Sequence, residues 1–180
     1  MSQDEAQLIR QAKQGDPAAF TAIYDRCQPA IYRYILRQVS DVTTAEDLTG
    51  EVFVRMVEKI EQFTYRGHPI LSWLYTIARN LVNDYHRRAG RVQYTLPSEP
   101  LTSREIDPED AVARRLTEDQ LQAAIAQLTE SQRQVILLKF IEGLDNETVA
   151  VTLGKTVGAV KSLQHRALAA LRRILTADTD

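Results

Sequence analysis

The 180 residues contain a single cysteine, Cys27, and only three histidines. One thiol cannot close an internal disulfide. His68, His86 and His165 show no metal-ligand spacing with it or with a carboxylate pair. The seven glycines are scattered, so no glycine-rich phosphate loop is available. No apolar run approaches the roughly 20 residues that cross a bilayer. The opening MSQDEAQLIRQAKQGD is polar and acidic, which predicts no secretory leader. Period-two alternation of apolar and polar residues, the mark of strands, competes nowhere. These absences argue against a metal- or nucleotide-dependent enzyme and a disulfide-stapled secreted domain. They predict a cytoplasmic protein with no catalytic residues, no metal, no cofactor and no direct membrane insertion.

What is present is a helical pattern. Hydrophobic residues make up 44% and charged residues 26% of the chain, the balance of a globular protein. Ser2 with Glu5 reads as a capping box before a short helix that stops at Gly15. Asp16-Pro17 restarts the chain, and helix 17–39 turns Phe20, Ile23, Tyr24, Cys27, Ile31, Tyr34 and Ile35 inward, with Pro29 as a kink. Cys27 then serves as a small core hydrophobe. Thr43 and Glu46 form another capping pair, followed by Leu48, Val52, Met56 and Ile60 every four residues, with Phe53 and Val57 beside them. After a loop around 65–69, Leu71, Leu74, Ile77, Ala78, Leu81, Val82 and Tyr85 mark a further helix.

Residues 89–107 break the pattern with two prolines, several Ser/Thr and no apolar stripe, and read as a linker. Asp107-Pro108 opens a second helical unit, with Thr117 and Gln120 offering a restart. Thr129 and Gln132 cap a helix bearing Val135, Ile136, Phe140 and Ile141 that Gly143 ends. The expected fold is all-α: a helical domain over 1–88, a flexible linker over 89–107 and a second small helical domain over 108–180.

Residues 144–173 carry the clearest functional signal. Asp145 is a good N-cap, Val149, Ala150 and Leu153 form one stripe, and Gly154 stands where a helix end needs a left-handed residue. Thr156 caps a second helix in which Val157, Val160, Leu163 or Ala167, Leu168 and Leu171 recur at helical spacing. Between Lys155 and Arg173 there are five cations and no acid, in a chain whose net charge is −2. A short helix, a tight turn and a basic helix form a helix-turn-helix, which sets its second helix in the major groove of DNA. Thr156, Gly158 and Ala159 are small enough for close approach. Lys161, Ser162, Gln164, His165 and Arg166 supply cations and hydrogen bonds over the next two turns. The plainer alternative is an amphipathic core helix with a solvated basic face. A chain of net negative charge should bind free duplex weakly, which suggests that a larger partner holds the DNA.

The chain resembles the bacterial RNA polymerase sigma factors of the sigma-70 family, in their extracytoplasmic-function group. Three segments carry the resemblance in the family's order: AEDLTGEVFVRMVEKI (45–60), ILSWLYTIARNLVNDYHRR (70–88) and LTESQRQVILLKFIEGLDNETVAVTLGKTVGAVKSLQHRAL (128–168). The first is similar to the family's polymerase-binding helix, which implies that Asp47, Glu51, Phe53 and Arg55 dock on a coiled coil of the largest subunit. The second is similar to its −10 reading and melting segment. In residues 62–88 aromatics and cations mix, as suits single-stranded DNA, where bases stack and phosphates pair. Trp73 and Tyr85 serve equally well as core residues. The resemblance implies Tyr65, Arg66, His68, Trp73, Arg79, Asn80, Arg87 and Arg88 as −10 residues, the loop 64–69 capturing an unstacked base and Asn80 helping to read it.

The third segment is similar to the −35 reading domain, implying Thr156, Gly158, Ala159, Lys161, Ser162, His165 and Arg166 as its contacts. Leu163 departs from the family, which often has arginine there. The resemblance further implies core RNA polymerase, promoter DNA and an anti-sigma factor as partners of a chain that is monomeric when free. Two other readings fit less of the sequence. A stand-alone dimeric regulator would bind its operator without polymerase, and a sigma-like decoy would sequester an anti-sigma factor without needing a basic reading helix.

Overall fold

Residues 3–39, 41–90 and 119–177 are described in the computed structural model, and every regular element among them is helical. In chain order these are α1 (Gln3–Lys13), α2 (Pro17–Val39), α3 (Val42–Lys59) with a short 3₁₀ turn (Ile60–Gln62), and α4 (Ile70–Ala89). There follow α5 (119–126), α6 (Glu130–Ile136) running into a π-helical turn (Leu137–Ile141), α7 (Asn146–Leu153) and α8 (Val157–Ala177). The expected linker from 91 onward, the Asp107-Pro108 restart, Thr117 and Ser2 lie outside the described residues.

Helices α1–α4 form one bundle. Ile23, Ile31, Ile35, Val52, Met56, Leu74 and Ala78 are each at most 1% exposed, and their spacing on α2, α3 and α4 is the helical period. The helix entry points differ in two places from the expected caps. Asp41, not Thr43, caps α3, accepting a hydrogen bond from the Thr44 N–H at 2.7 Å. Glu5 is buried, and its Oε1 accepts the Ile70 N–H at 2.7 Å. It therefore caps α4 from across the bundle, where Pro69 offers no side-chain acceptor. Pro29 sits inside α2 without ending it. Tyr24, expected inward, is 44% exposed, and Val57, beside the inward stripe of α3, is 51% exposed.

The second bundle repeats the logic. Thr129 and Gln132 make a reciprocal capping box on α6. Asp145 accepts the Thr148 N–H at 2.7 Å, and Gly154 at φ 62° ends α7 in the left-handed region. Ala124, Ile125, Val135, Leu138, Val149, Val160, Leu163, Ala167 and Leu171 fill its core. Three expectations fail here. Leu168 is 48% exposed, one position off the inward stripe of α8. The helix expected to run unbroken to Gly143 widens to π geometry, and Phe140 points outward at 52% exposure. An extra residue in one turn rotates every later side chain about the axis, so a regular 3.6-residue extrapolation fails beyond it.

The two bundles meet along α2 and α4 on one side and α6 and α7 on the other. Buried apolar side chains of both bundles form one continuous cluster, and hydrogen bonds run through the meeting beside it. Tyr34 Oη donates to Gln134 Oε1 at 2.6 Å, and Gln134 Nε2 donates to Gln38 Oε1 at 2.8 Å. All three side chains are at most 1% exposed. Gln38 Nε2 returns to the Tyr34 carbonyl at 3.0 Å, and the Gln38 carbonyl lies 2.9 Å from His86 Nε2. A buried amide without partners would be costly, and here each is engaged.

Candidate nucleic-acid interface

The outward face of α8 is set by the residues that turn in. Val160, Leu163 and Ala167 pack at spacings of three and four, which leaves Lys161, Ser162, His165 and Arg166 exposed on the opposite side. Thr156 and Gly158 are exposed at the start of the helix, with Ala159 half-buried behind them. Thr156 Oγ1 accepts the Ala159 N–H at 3.2 Å, so the expected cap forms. A β-carbon placed on Gly158 meets nothing within 4 Å, so the fold itself does not require glycine there. Gln164, grouped by sequence with the outward side chains, instead donates to Asn146 Oδ1 at 2.6 Å and braces α8 against α7. Leu163 is buried, and its departure from the family pattern is absorbed by packing.

The α4 region divides into two stripes. Trp73, Asn80 and Arg87 recur every seven residues, two helical turns, and so share a face. Asn80 and Arg87 are exposed, Arg87 within 2.9 Å of Asp84, while Trp73 is half-buried and stacks on Phe63 with ring centres 4.8 Å apart. Arg88 is exposed beside a cleft of about 360 Å³ that Leu48, Arg55, Leu81 and Tyr85 also line. Arg79 belongs to the adjacent stripe with Ser72, Thr76 and Asn83. Its Nε is enclosed and has no hydrogen-bond partner among the described residues. The loop before α4 offers Arg66 exposed, with Tyr65 and His68 half-buried. Gly67 turns the chain there at φ 82°. Tyr75, among the aromatics of this segment, is buried and set edge-on to Tyr34 at 5.1 Å.

On α3, Asp47 and Glu51 are exposed, and Arg55 Nε lies 2.9 Å from Glu51 Oε1. Phe53 is buried to 6% exposure and meets the Tyr24 ring at 4.7 Å. Phe53 and the exposed Tyr24, which periodicity turns inward, lie on the α2 side of α3, whereas Arg55 borders the α4 side with Leu48 and Arg88. Cys27 is buried, and burial pushes its thiol up to about 11, the nearby Glu5 charge adding to the effect and Arg26 opposing it. That matches a core role.

Comparison with known proteins identifies two regions of the chain. The Sigma-70 region 2 model matches residues 23–92, and the Sigma-70, region 4 model matches residues 118–171. The ECF RNA polymerase sigma factor BldN of Streptomyces coelicolor is 38% identical over 96% of this chain, which spans 66% of that protein's length. SigD of Mycobacterium tuberculosis is 31% identical over 96% of this chain and 84% of its own. SigW of Bacillus subtilis is 34% identical, with 93% and 94% covered. Among solved structures, CnrH in complex with the cytosolic domain of CnrY superposes with a TM-score of 0.70 over 97% of this chain and 98% of that one, at 24% identity. At that identity the likeness concerns the fold.

Proposed function

The chain belongs to the extracytoplasmic-function sigma factors of the sigma-70 family, and on that basis we propose how its parts divide promoter recognition. The N-terminal bundle, to about residue 88, docks on core RNA polymerase through the exposed charges of α3 and traps melted −10 bases with α4 and the loop before it. The C-terminal bundle, from about residue 108, reads −35 duplex with α8. Residues 89–107 tether the two. At about 3.3–3.6 Å per residue, nineteen residues reach up to roughly 65 Å, about two turns of duplex. The role is recognition without catalysis, in the cytoplasm, by a free monomer that an anti-sigma factor can sequester.

The observation that best supports the reading is the exposed side of α8: Lys161, Ser162, His165 and Arg166 stand out behind a capped, glycine-terminated turn, while the apolar stripe packs in. A basic core helix would explain the cations, but not a preceding helix braced to it by Gln164 and Asn146. On α3 the exposed charges confer specificity and encounter rate, and apolar contact supplies the affinity. On α4, stacking of a base is worth about 1–3 kcal/mol, enough to offset part of the few kcal/mol that flipping it costs.

Titration of the labelled chain with purified core polymerase at low salt tests the partnership, and a saturable complex is expected. No complex would reject the reading. In the assembled enzyme, Arg166→Ala should weaken −35 binding by about 1–3 kcal/mol. Asn80→Ala should slow promoter opening more than it weakens the closed complex. Permanganate footprinting alongside equilibrium binding separates the two, and equal effects of both substitutions on duplex affinity would contradict the division.

A further inference from the structure

The loop 64–69, which supplies Tyr65, Arg66 and His68, is fastened at its ends and not along its length. Among the described residues, no backbone–backbone hydrogen bond starts or ends within 64–68. At the near end, Phe63 donates its N–H to the Ile60 carbonyl at 3.1 Å, and its ring stacks on Trp73 across the loop with centres 4.8 Å apart. At the far end, Ser72 gives its N–H and its hydroxyl to the Pro69 carbonyl, at 2.9 and 2.7 Å. The Ile70 N–H finds no side-chain acceptor on Pro69 and is taken instead by Glu5 Oε1 of α1 at 2.7 Å.

That last contact differs in kind from the other caps. Asp41, Thr129 and Asp145 cap α3, α6 and α7 from the residue just before each helix, so each cap moves with the helix it serves. The acceptor for α4 comes from 65 residues earlier, on a side chain only 8% exposed. Helix α1 is seated on α2 through Ile9 and Ala12, each at most 2% exposed, and it also packs on the 3₁₀ turn 60–62 that leads into the loop. One helix therefore holds both ends of the loop. A carboxylate at a helix N-terminus is favoured by the helix dipole and accepts a stronger hydrogen bond than a neutral group does. Without it the first turn of α4 loses a satisfied donor and frays, and the far anchor of the loop loosens with it.

We propose that Glu5 is a positioning residue for promoter opening: it touches no DNA, but pins the start of α4 so that the loop 64–69 keeps the shape that receives an unstacked base. A pocket already in its binding shape avoids the ordering cost that a loose loop incurs at each capture. The inference rests on the assignment of this loop to −10 base capture.

The test uses the full chain as Glu5→Ala, Glu5→Gln and Ile35→Val, the last loosening the same core without touching the cap. All are compared at a temperature where circular dichroism shows them folded. With core polymerase, on a promoter taken from the chain's own mapped start sites, Glu5→Ala should slow permanganate-detected opening at least about fivefold. Glu5→Gln should restore most of the rate, and Ile35→Val should leave it near that of the unmodified chain. An abasic site is then placed at the −10 position where base removal slows the unmodified chain most. On that template the unmodified chain and Glu5→Ala should open at equal rates, because there is no base left to capture. An undiminished Glu5→Ala defect on the abasic template, or an equal defect in Ile35→Val, would overturn the proposal.

Trp73 is the only tryptophan of the chain and forms half of the stack across the loop, so its fluorescence reports the loop directly in the free protein. Acrylamide should quench it more strongly in Glu5→Ala than in the unmodified chain or Ile35→Val, and unchanged quenching would also overturn the proposal. If the unmodified chain opens no promoter while Trp73 responds as expected, the pinning of the loop by Glu5 is supported and the −10 assignment alone fails.

Discussion

Glu5 shows how a single side chain can decide a helix far from it in sequence. Its carboxylate accepts the buried Ile70 N–H at 2.7 Å, at a helix start whose N-cap, Pro69, has no acceptor. Glu5→Ala strands that donor and should cost about 1–3 kcal/mol, whereas Glu5→Gln keeps an acceptor and should cost less. Thermal melts of the two variants check this, and equal losses would contradict the cap. Asp145 makes a second prediction. The Thr148 backbone N–H, and then its side chain, hold the Asp145 carboxyl below its ordinary 3.8. Since the folded value is the lower one, this stabilisation is complete above the ordinary value and disappears as pH falls through the folded value. Asp145→Asn keeps a capping oxygen but cannot titrate. Its melting temperature should therefore fall less steeply than that of the unmodified protein between about pH 5 and pH 2. Parallel slopes would show that the cap does not titrate with folding.

Among the elements, α8 gives the sharpest separation of fold from function. Gly158 has an ordinary helical backbone with open space around its α-carbon, so Gly158→Ala should stabilise the helix by up to about 1 kcal/mol. The same methyl should obstruct close approach to DNA and weaken −35 binding. A raised melting temperature with weakened binding by the assembled enzyme is the expected pair, and unchanged binding would remove Gly158 from the interface. Caps and stripes like these were legible because they are local. Thr129 with Gln132, Asp145 and Gly154 all sit where sequence placed them. The edges of stripes were less legible. Tyr24, Val57, Phe140 and Leu168 are exposed because an isolated apolar side chain in water carries little penalty, so periodicity does not decide its side. The hydrogen bonds between the bundles were illegible for another reason: Tyr34 and Gln134 are 100 residues apart, and neither reveals its partner alone. The available signal was Gln38 following Ile31 and Ile35 at apolar spacing, a buried-side polar residue in need of an acceptor and a donor.

At the scale of the whole molecule, charge and architecture point the same way. A net charge of −2 with cations concentrated on α8 gives little non-specific affinity for duplex DNA, since that affinity grows with the phosphates neutralised. Two weak readers on one polymerase-bound chain gain specificity through effective concentration, provided both can engage at once. Polymerase-dependent promoter choice is therefore the property on which everything else depends. The most direct measurement is to map transcript 5′ ends produced from a genomic DNA library by core polymerase with and without the purified chain. Added chain should create new starts that share two short motifs at one fixed spacing, the upstream motif lost with Arg166→Ala. Identical start sites with and without the chain would contradict the assignment.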